Sequence, residues 1–137
     1  MENRDLLKDQ IEQLGKVMAK ILSDFIGLKS NNDVDQQIKI SNDRFQNELD
    51  IDIEKLLSLQ KTKLRLYTNK RKLNHCHLET LSAYFKEVGL EKLKTSKSQG
   101  RLYLVKALVL LEIADEVSKT ISLDRIDRST EIKNVLQ

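Results

Sequence analysis

An all-α fold is predicted from three observations. The 137-residue chain has no proline and only four glycines, whereas an all-β sandwich needs turn residues about every 8–12 positions. Hydrophobic residues make up 39%, with a full complement of Leu and Ile, so the 33% of charged residues does not signal disorder. Apolar side chains also recur at alternating spacings of three and four, the period of a helix. The length suits one domain, residues 1–137. At this size roughly 68% of the unfolded surface is buried, enough to fold without staples.

The first helix is predicted from Asp5 to Ile26. Leu7, Ile11, Leu14, Met18, Ile21, Phe25 and Leu28 form a heptad seam, and Leu6, Val17, Leu22 and Ile26 widen it. Gly27 and the following Lys29-Ser30-Asn31-Asn32 mark its stop. At about 1.5 Å per residue it is roughly 33 Å long, the length of a molecule whose radius of gyration is about 14 Å. A second helix, from Asn32 or Asp33, carries Val34, Ile38, Ser41 and Phe45. The short connection makes it an antiparallel neighbour of the first. Being shorter, it leaves part of the wide stripe for another cover. Asp50-Ile51-Asp52 reads as a break and a new amino cap, followed by a short apolar piece with Ile53, Leu56, Leu57 and Leu59. From Lys61 a short helix through Leu64, Leu66 and Tyr67 runs into a basic turn ending at Lys72.

In the second half, Leu78, Leu81, Phe85 and Val88 line one helical face, and Gly89 is expected to close that helix as a left-handed cap. Residues 91–100 (EKLKTSKSQG) are polar and lysine-rich, the expected mobile loop. Leu102 to Val117 is expected to be the most buried helix. Thr120-Ile121-Ser122 ends it, and Ser122 caps a last helix carrying Leu123, Ile126, Ile132 and Val135. Three sub-regions result: an amino-terminal hairpin with a short helix (1–60), a basic segment (61–72), and a hairpin with a last helix (73–137). No internal repeat of fixed period is visible.

The net charge of +3 is unevenly spread. Residues 1–60 carry 8 Lys/Arg against 12 Asp/Glu, residues 61–97 carry 10 against 3, and residues 98–137 carry 6 of each. Such polarity guides assembly or binding and says little about fold. One cysteine, Cys76, excludes an internal disulfide and suits a reducing compartment. The start, MENRDLLKDQ, lacks the basic and then apolar run of a secretory signal, and the longest apolar stretch, Leu102 to Ala114, is short of the about 20 residues a bilayer needs. A cytoplasmic protein without membrane contact is expected.

Few residues point to chemistry. Asn74-His75-Cys76-His77 is the one cluster of soft ligands. On a helix His75 and His77 point about 200° apart and cannot share an ion. His75 and Glu79 stand one turn apart and could share one, but a structural zinc site needs four ligands. The plain alternative is a polar first turn with Cys76 packed as a small hydrophobe. Adjacent side chains diverge, which also argues against a Cys76 nucleophile with a histidine base. The isolated glycines build no phosphate loop. No catalytic residue, cofactor or metal is therefore assigned, and the chain is expected not to be an enzyme. Lys61, Lys63, Arg65, Lys70, Arg71 and Lys72 place six positive charges in twelve residues with no acid among them and Tyr67 in their midst. These are the candidate contacts to an anion or nucleic acid. The alternative is a solvated turn that offsets the acidic first half. Gly15, in mid-helix, costs about 1 kcal/mol against alanine. Either its missing side chain lets another backbone come close, or it is simply tolerated.

Two resemblances follow from particular stretches. Leu78, Leu81, Ser82 and Phe85, with Gly89, and then Ala107, Leu111 and Ala114, resemble the large and small positions of one tetratricopeptide helical hairpin. The sequence departs from that pattern by about thirteen extra residues between the two helices and by lacking the closing proline. A single unit implies no multi-repeat groove, since solenoids need at least three. The stretches IEQLGKVMAKIL (11–22), LETLSAYFKEVG (78–89), YLVKALVLLEIAD (103–115) and TISLDRI (120–126) resemble an uncharacterised family of small bacterial helical proteins, with Gly15 and Arg125 inside recurring segments. That resemblance implies an all-α cytoplasmic protein and brings no activity with it. The expected architecture is an amino-terminal antiparallel hairpin packed on a tetratricopeptide-like hairpin with a terminal capping helix. The expected function is a non-enzymatic interaction or scaffold protein of unknown partner, self-associating through Leu7, Ile11, Leu14, Gly15, Met18, Ile21 and Phe25. Nucleic-acid binding through 61–72 is the alternative.

Overall fold

The computed structural model of the chain describes residues 2–28 and 33–137, which form seven helices and no strand. The heptad pattern forms α1 (Glu2–Leu28). Its expected stop at Lys29–Asn32 and the Leu6 side chain lie outside the described residues. Asp33 caps α2 (Val34–Leu49) by accepting from the Asp35 N–H at 3.0 Å. α2 ends where Asp50 takes the left-handed conformation (φ 55°), so that its N–H bonds Gln46 O and the Ile51 N–H bonds Phe45 O, each at 3.1 Å. Ile51 is fully buried straight after this turn. Asp52 then caps α3 (Ile53–Ser58) through the Lys55 N–H, and its own N–H donates to the Tyr67 hydroxyl at 2.8 Å on α4 (Lys61–Lys70). The predicted break and new cap at 50–52 are both present.

α5 (His75–Leu93) and α6 (Lys97–Ser118) form the central antiparallel pair. Ser82 Oγ donates to Ala107 O at 2.8 Å, a side chain of one helix bonding the backbone of the next. Both glycines of this pair differ from expectation. Gly89 lies inside α5, and no described glycine has a positive φ. A Cβ on it would lie 2.9 Å from Leu104 Cγ and 3.1 Å from Gly100 O, so its bareness serves close helix packing instead of a cap. Gly100 sits in the first turns of α6, facing Leu93. The expected loop at 91–100 is thereby reduced to a turn at 94–96, capped by Ser96, with helix on either side. Most of the residues expected in that loop instead extend α5 and α6.

The core runs along α5. Tyr84 is packed edge-on to Phe25 of α1 (5.6 Å) and tilted against Phe45 of α2 (4.7 Å), and Phe85 meets Tyr103 of α6 at 5.6 Å. Ile38, Ser41 and Phe45 of α2 are buried as predicted, and so are Leu78, Leu81, Phe85 and Val88. α6 is less enclosed than expected, because Leu102, Val105 and Val117 face solvent. α7 (Leu123–Leu136) is capped by Ser122, as predicted, but lies on a different face. Its inward positions are Arg125 and Ile132, while Leu123, Ile126 and Val135 are exposed. Leu66 of α4 is likewise exposed, leaving Leu64, Tyr67 and Thr68 to hold that helix in place.

Candidate functional site

The wide apolar stripe of α1 finds its second cover within the same chain. α2 returns antiparallel to α1: Arg44 pairs with Asp24 at 2.8 Å, and Leu49 and Asp50 lie beside Leu14 and Val17. α5 runs parallel to α1 on its other side, meeting Ile11 through His77 and Phe25 through Tyr84. Met18, Ile21 and Phe25 are consequently 0–1% exposed and belong to the core. Three of the seven expected interface residues are thus taken by intramolecular packing. Gly15 is covered by the His77 ring, which a Cβ would meet at 3.5 Å. It accommodates an imidazole, and no second backbone approaches it. Ile11 and Leu14 are half-buried, and Leu7 is 42% exposed. Beside them a surface groove of about 950 Å³ is lined by Gln10, Gln13, Leu14 and Val17 of α1 and by 46–50 at the end of α2.

His77 fixes this corner. Its Nδ1 accepts from the Asn74 N–H at 3.0 Å, which assigns the proton to Nε2, and Nε2 donates to Ile11 O at 2.9 Å. Asn74 Oδ1 accepts from the His77 N–H in return, so a histidine completes the capping box usually closed by Glu or Gln. Burial holds the His77 pKa below its usual value; the Ile11 bond opposes that shift, and nearby His75 adds to it.

The basic segment meets its acids across the fold. Lys61 pairs with Glu112 (3.0 Å) and Glu116 (2.6 Å), and Arg65 pairs with Glu116 as well. Hydrogen bonds to Glu116 and then Glu112 raise the Lys61 pKa, and Lys61 in turn lowers that of Glu116. Arg71 donates to Asp50 O at 2.6 Å and covers the Tyr67 ring at 3.6 Å. Tyr67 is 8% exposed and its hydroxyl is engaged by Asp52, so it presents no face for base stacking. The apparently unopposed charge is therefore opposed from α6 and from Asp50. Only Lys63, Lys70 and Lys72 point freely outward among the six.

A third cluster forms at the start of α5, and it brings together more than the sequence suggests. His75 Nδ1 lies 3.1 Å from Glu79 Oε2, and Cys76 Sγ lies 3.7 Å from His75 Nδ1. The adjacent side chains converge instead of diverging, while His77 turns inward as the helical geometry requires. Behind Glu79 stands Arg125, 3% exposed, a residue singled out by no periodicity. Its NH1 donates to Glu79 Oε2 (3.1 Å), Nε to Asp115 Oδ1 (2.6 Å), and NH2 to Ser118 Oγ and Thr120 O (2.9 Å each). Asp115 first, then Glu79, raises its pKa against the cost of burial. The usable signal was Arg125 standing seven residues before Ile132 and so on the same helical face.

Among the described residues no helix is long and apolar enough to cross a membrane. Comparison with known proteins finds no matching family model, no matching curated protein and no matching solved structure.

Proposed function

We propose that the chain is a non-enzymatic interaction and scaffold protein that self-associates through the amino-terminal turns of α1. One observation carries this: α1 continues past both of its partners. α2 ends beside Leu14 and Val17, and α5 begins at His75, whose neighbour His77 meets α1 at Ile11. Residues 7–10 of α1 are exposed, Leu7 among them, next to a groove lined by Leu14, Val17 and Leu49. Their charges favour a second copy as the occupant. Lys8 and Lys16 flank Asp9 and Glu12, two charges of each sign, so neither sign accumulates and a second copy whose register sets its lysines against these acids meets complementary groups. A contact made by about three helical turns is small beside the roughly 1,600 Å² of a standard interface. A weak, concentration-dependent dimer is therefore expected.

Two finer assignments accompany this function. α5–α6 is a tetratricopeptide-like hairpin, a proposal supported by the buried Leu78, Leu81, Ser82 and Phe85 and by the small residues where the helices touch. As a lone unit it has no neighbours with which to build a repeat groove, so binding is assigned to α1. The likeness to small bacterial helical proteins and the exposed, unpaired Cys76 both support a cytoplasmic location.

Sedimentation velocity over a micromolar concentration series tests the central claim. The sedimentation coefficient of the native chain should rise with concentration, and Leu7→Asp should abolish the rise while leaving the thermal melt unchanged. A strict monomer throughout the series, or association indifferent to Leu7→Asp, rejects it.

A further inference from the structure

The first turn of α5 gathers three different metal-ligating side chains. One ligand atom each from His75, Cys76 and Glu79 falls within 4.8 Å of the other two, with contacts of 3.1 Å between His75 and Glu79 and 3.7 Å between Cys76 and His75. A tetrahedral ion bound at about 2.0–2.3 Å holds its ligand atoms roughly 3.3–3.7 Å apart. The Cys76–His75 separation of 3.7 Å already matches an edge of such a tetrahedron, and the His75–Glu79 separation of 3.1 Å needs to widen only by about 0.2 Å to do so. We propose that His75, Cys76 and Glu79 form a three-ligand site for a thiophilic divalent cation of the zinc class, its fourth position open to water.

The donor set selects the ion. One thiolate, one imidazole and one carboxylate form a borderline-soft set that suits zinc, whereas magnesium and calcium take oxygen ligands. A structural zinc site closes its shell with four protein ligands; a site with three keeps an open position. The carboxylate is also held from behind, as ligating carboxylates commonly are. Arg125 NH1 anchors Glu79 Oε2, and the same guanidinium is paired with Asp115, which offsets the positive charge it would set against a cation. The side chain of Arg125 is 4% exposed and so is fixed in place. Cys76 is exposed and His75 partly so, which gives an ion its route in from solvent. Loading exchanges the His75–Glu79 hydrogen bond for bonds to the ion: the Cys76 thiol gives its proton to the buffer, while the neutral His75 ring keeps its one proton, carried on Nε2 when Nδ1 holds the ion. His77 stays outside the set, since both of its ring nitrogens are engaged elsewhere.

The tag-free full chain titrated with Co²⁺, and then with Zn²⁺ in competition, provides the test. A sulfur-to-cobalt charge-transfer band should grow to saturation at one ion per chain and disappear on addition of Zn²⁺. Cys76→Ser should remove the band, and His75→Ala should weaken Co²⁺ binding by at least about tenfold. Both side chains lie at the surface, and an unchanged helical circular dichroism spectrum verifies that each variant is folded. Absence of a saturable band, or binding that either variant leaves unaltered, overturns the site.

Discussion

Between α1 and α2 the spacers are side chains, whereas between α5 and α6 the backbones themselves come together. In the first pair, Met18, Ile21 and Phe25 are buried in one apolar core with Ile38 and Phe45, and Arg44 ties the outside to Asp24 and Glu48. In the second, Ser82 bonds a backbone carbonyl of the facing helix, and Gly89 and Gly100 leave no room for a Cβ. The contrast shows that a glycine inside a helix has no fixed meaning. Gly15 of α1 lies under the His77 ring with ordinary van der Waals spacing, while Gly100 of α6 has Leu93 N within 2.7 Å of where a Cβ would stand.

Substitutions at these points separate the two modes of packing. Gly100→Ala should cost the most, about 1–3 kcal/mol, because the obstructing atom is backbone and cannot swing aside. Differential scanning calorimetry would read this as a fall in Tm of several degrees, and an unchanged Tm would mean that the α5–α6 backbones are not in contact. Next comes Tyr84→Phe, where the aromatic packing joins the two pairs. It forfeits the 2.6 Å bond from the Tyr84 hydroxyl to Asn42, worth about 1 kcal/mol. It should also change the pH profile. Burial above all, with Tyr103 adding to it, raises the phenol above its usual 10.0. The unfolded chain therefore ionises first, so this contribution is complete below about pH 10 and is lost as the pH climbs beyond it. Urea titrations at rising alkaline pH should show a shallower decline for the Phe variant than for the native chain.

Gly15→Ala should do the reverse of Gly100→Ala. A Cβ meets the His77 ring at 3.5 Å, an ordinary contact, so the gain in helix propensity, about 0.5–1 kcal/mol, is kept and Tm rises. Destabilisation instead would show that His77 tolerates no neighbour there. Arg44→Ala should have the smallest effect. Its ion pairs are still partly solvated, so most of any loss should fade in high salt, and a loss independent of salt would contradict this.

The same contrast explains what could be read in advance. The α1 seam, the α2 seam, the break at 50–52 and the Ser122 cap depend on residues within a few turns of one another, and local chemistry specifies them. Gly89 reads equally as a cap and as a point of close approach, and only the packing partner across the hairpin distinguishes the two, while Gly100 reads as loop because its polar, lysine-rich neighbours conceal its contact with Leu93. The basic segment reads as unopposed for a similar reason, since Glu112 and Glu116 lie about fifty residues downstream of Lys61 and Arg65, the cations they pair with. Helical spacing placed His75 beside Glu79 but could not place Cys76, whose approach to His75 depends on side-chain rotamers. The burial of Arg125 is hidden when the last helix is oriented by Leu123, Ile126, Ile132 and Val135, because three of these four face water.

Arg125 also determines how the carboxy-terminal end comes loose. α7 fully buries one large apolar side chain, Ile132, with Leu136 partly covered, and four of the directional bonds that hold it converge on a single guanidinium, beside single bonds from Lys86 to Glu131 and from Arg101 to Leu136 O. Directional bonds fail together once their geometry is lost, whereas apolar area is given up gradually. The last helix is thus a cooperative unit of its own, whose opening free energy lies below that of the whole chain. Its backbone amides should exchange with deuterium as one block, ahead of those in α5 and α6.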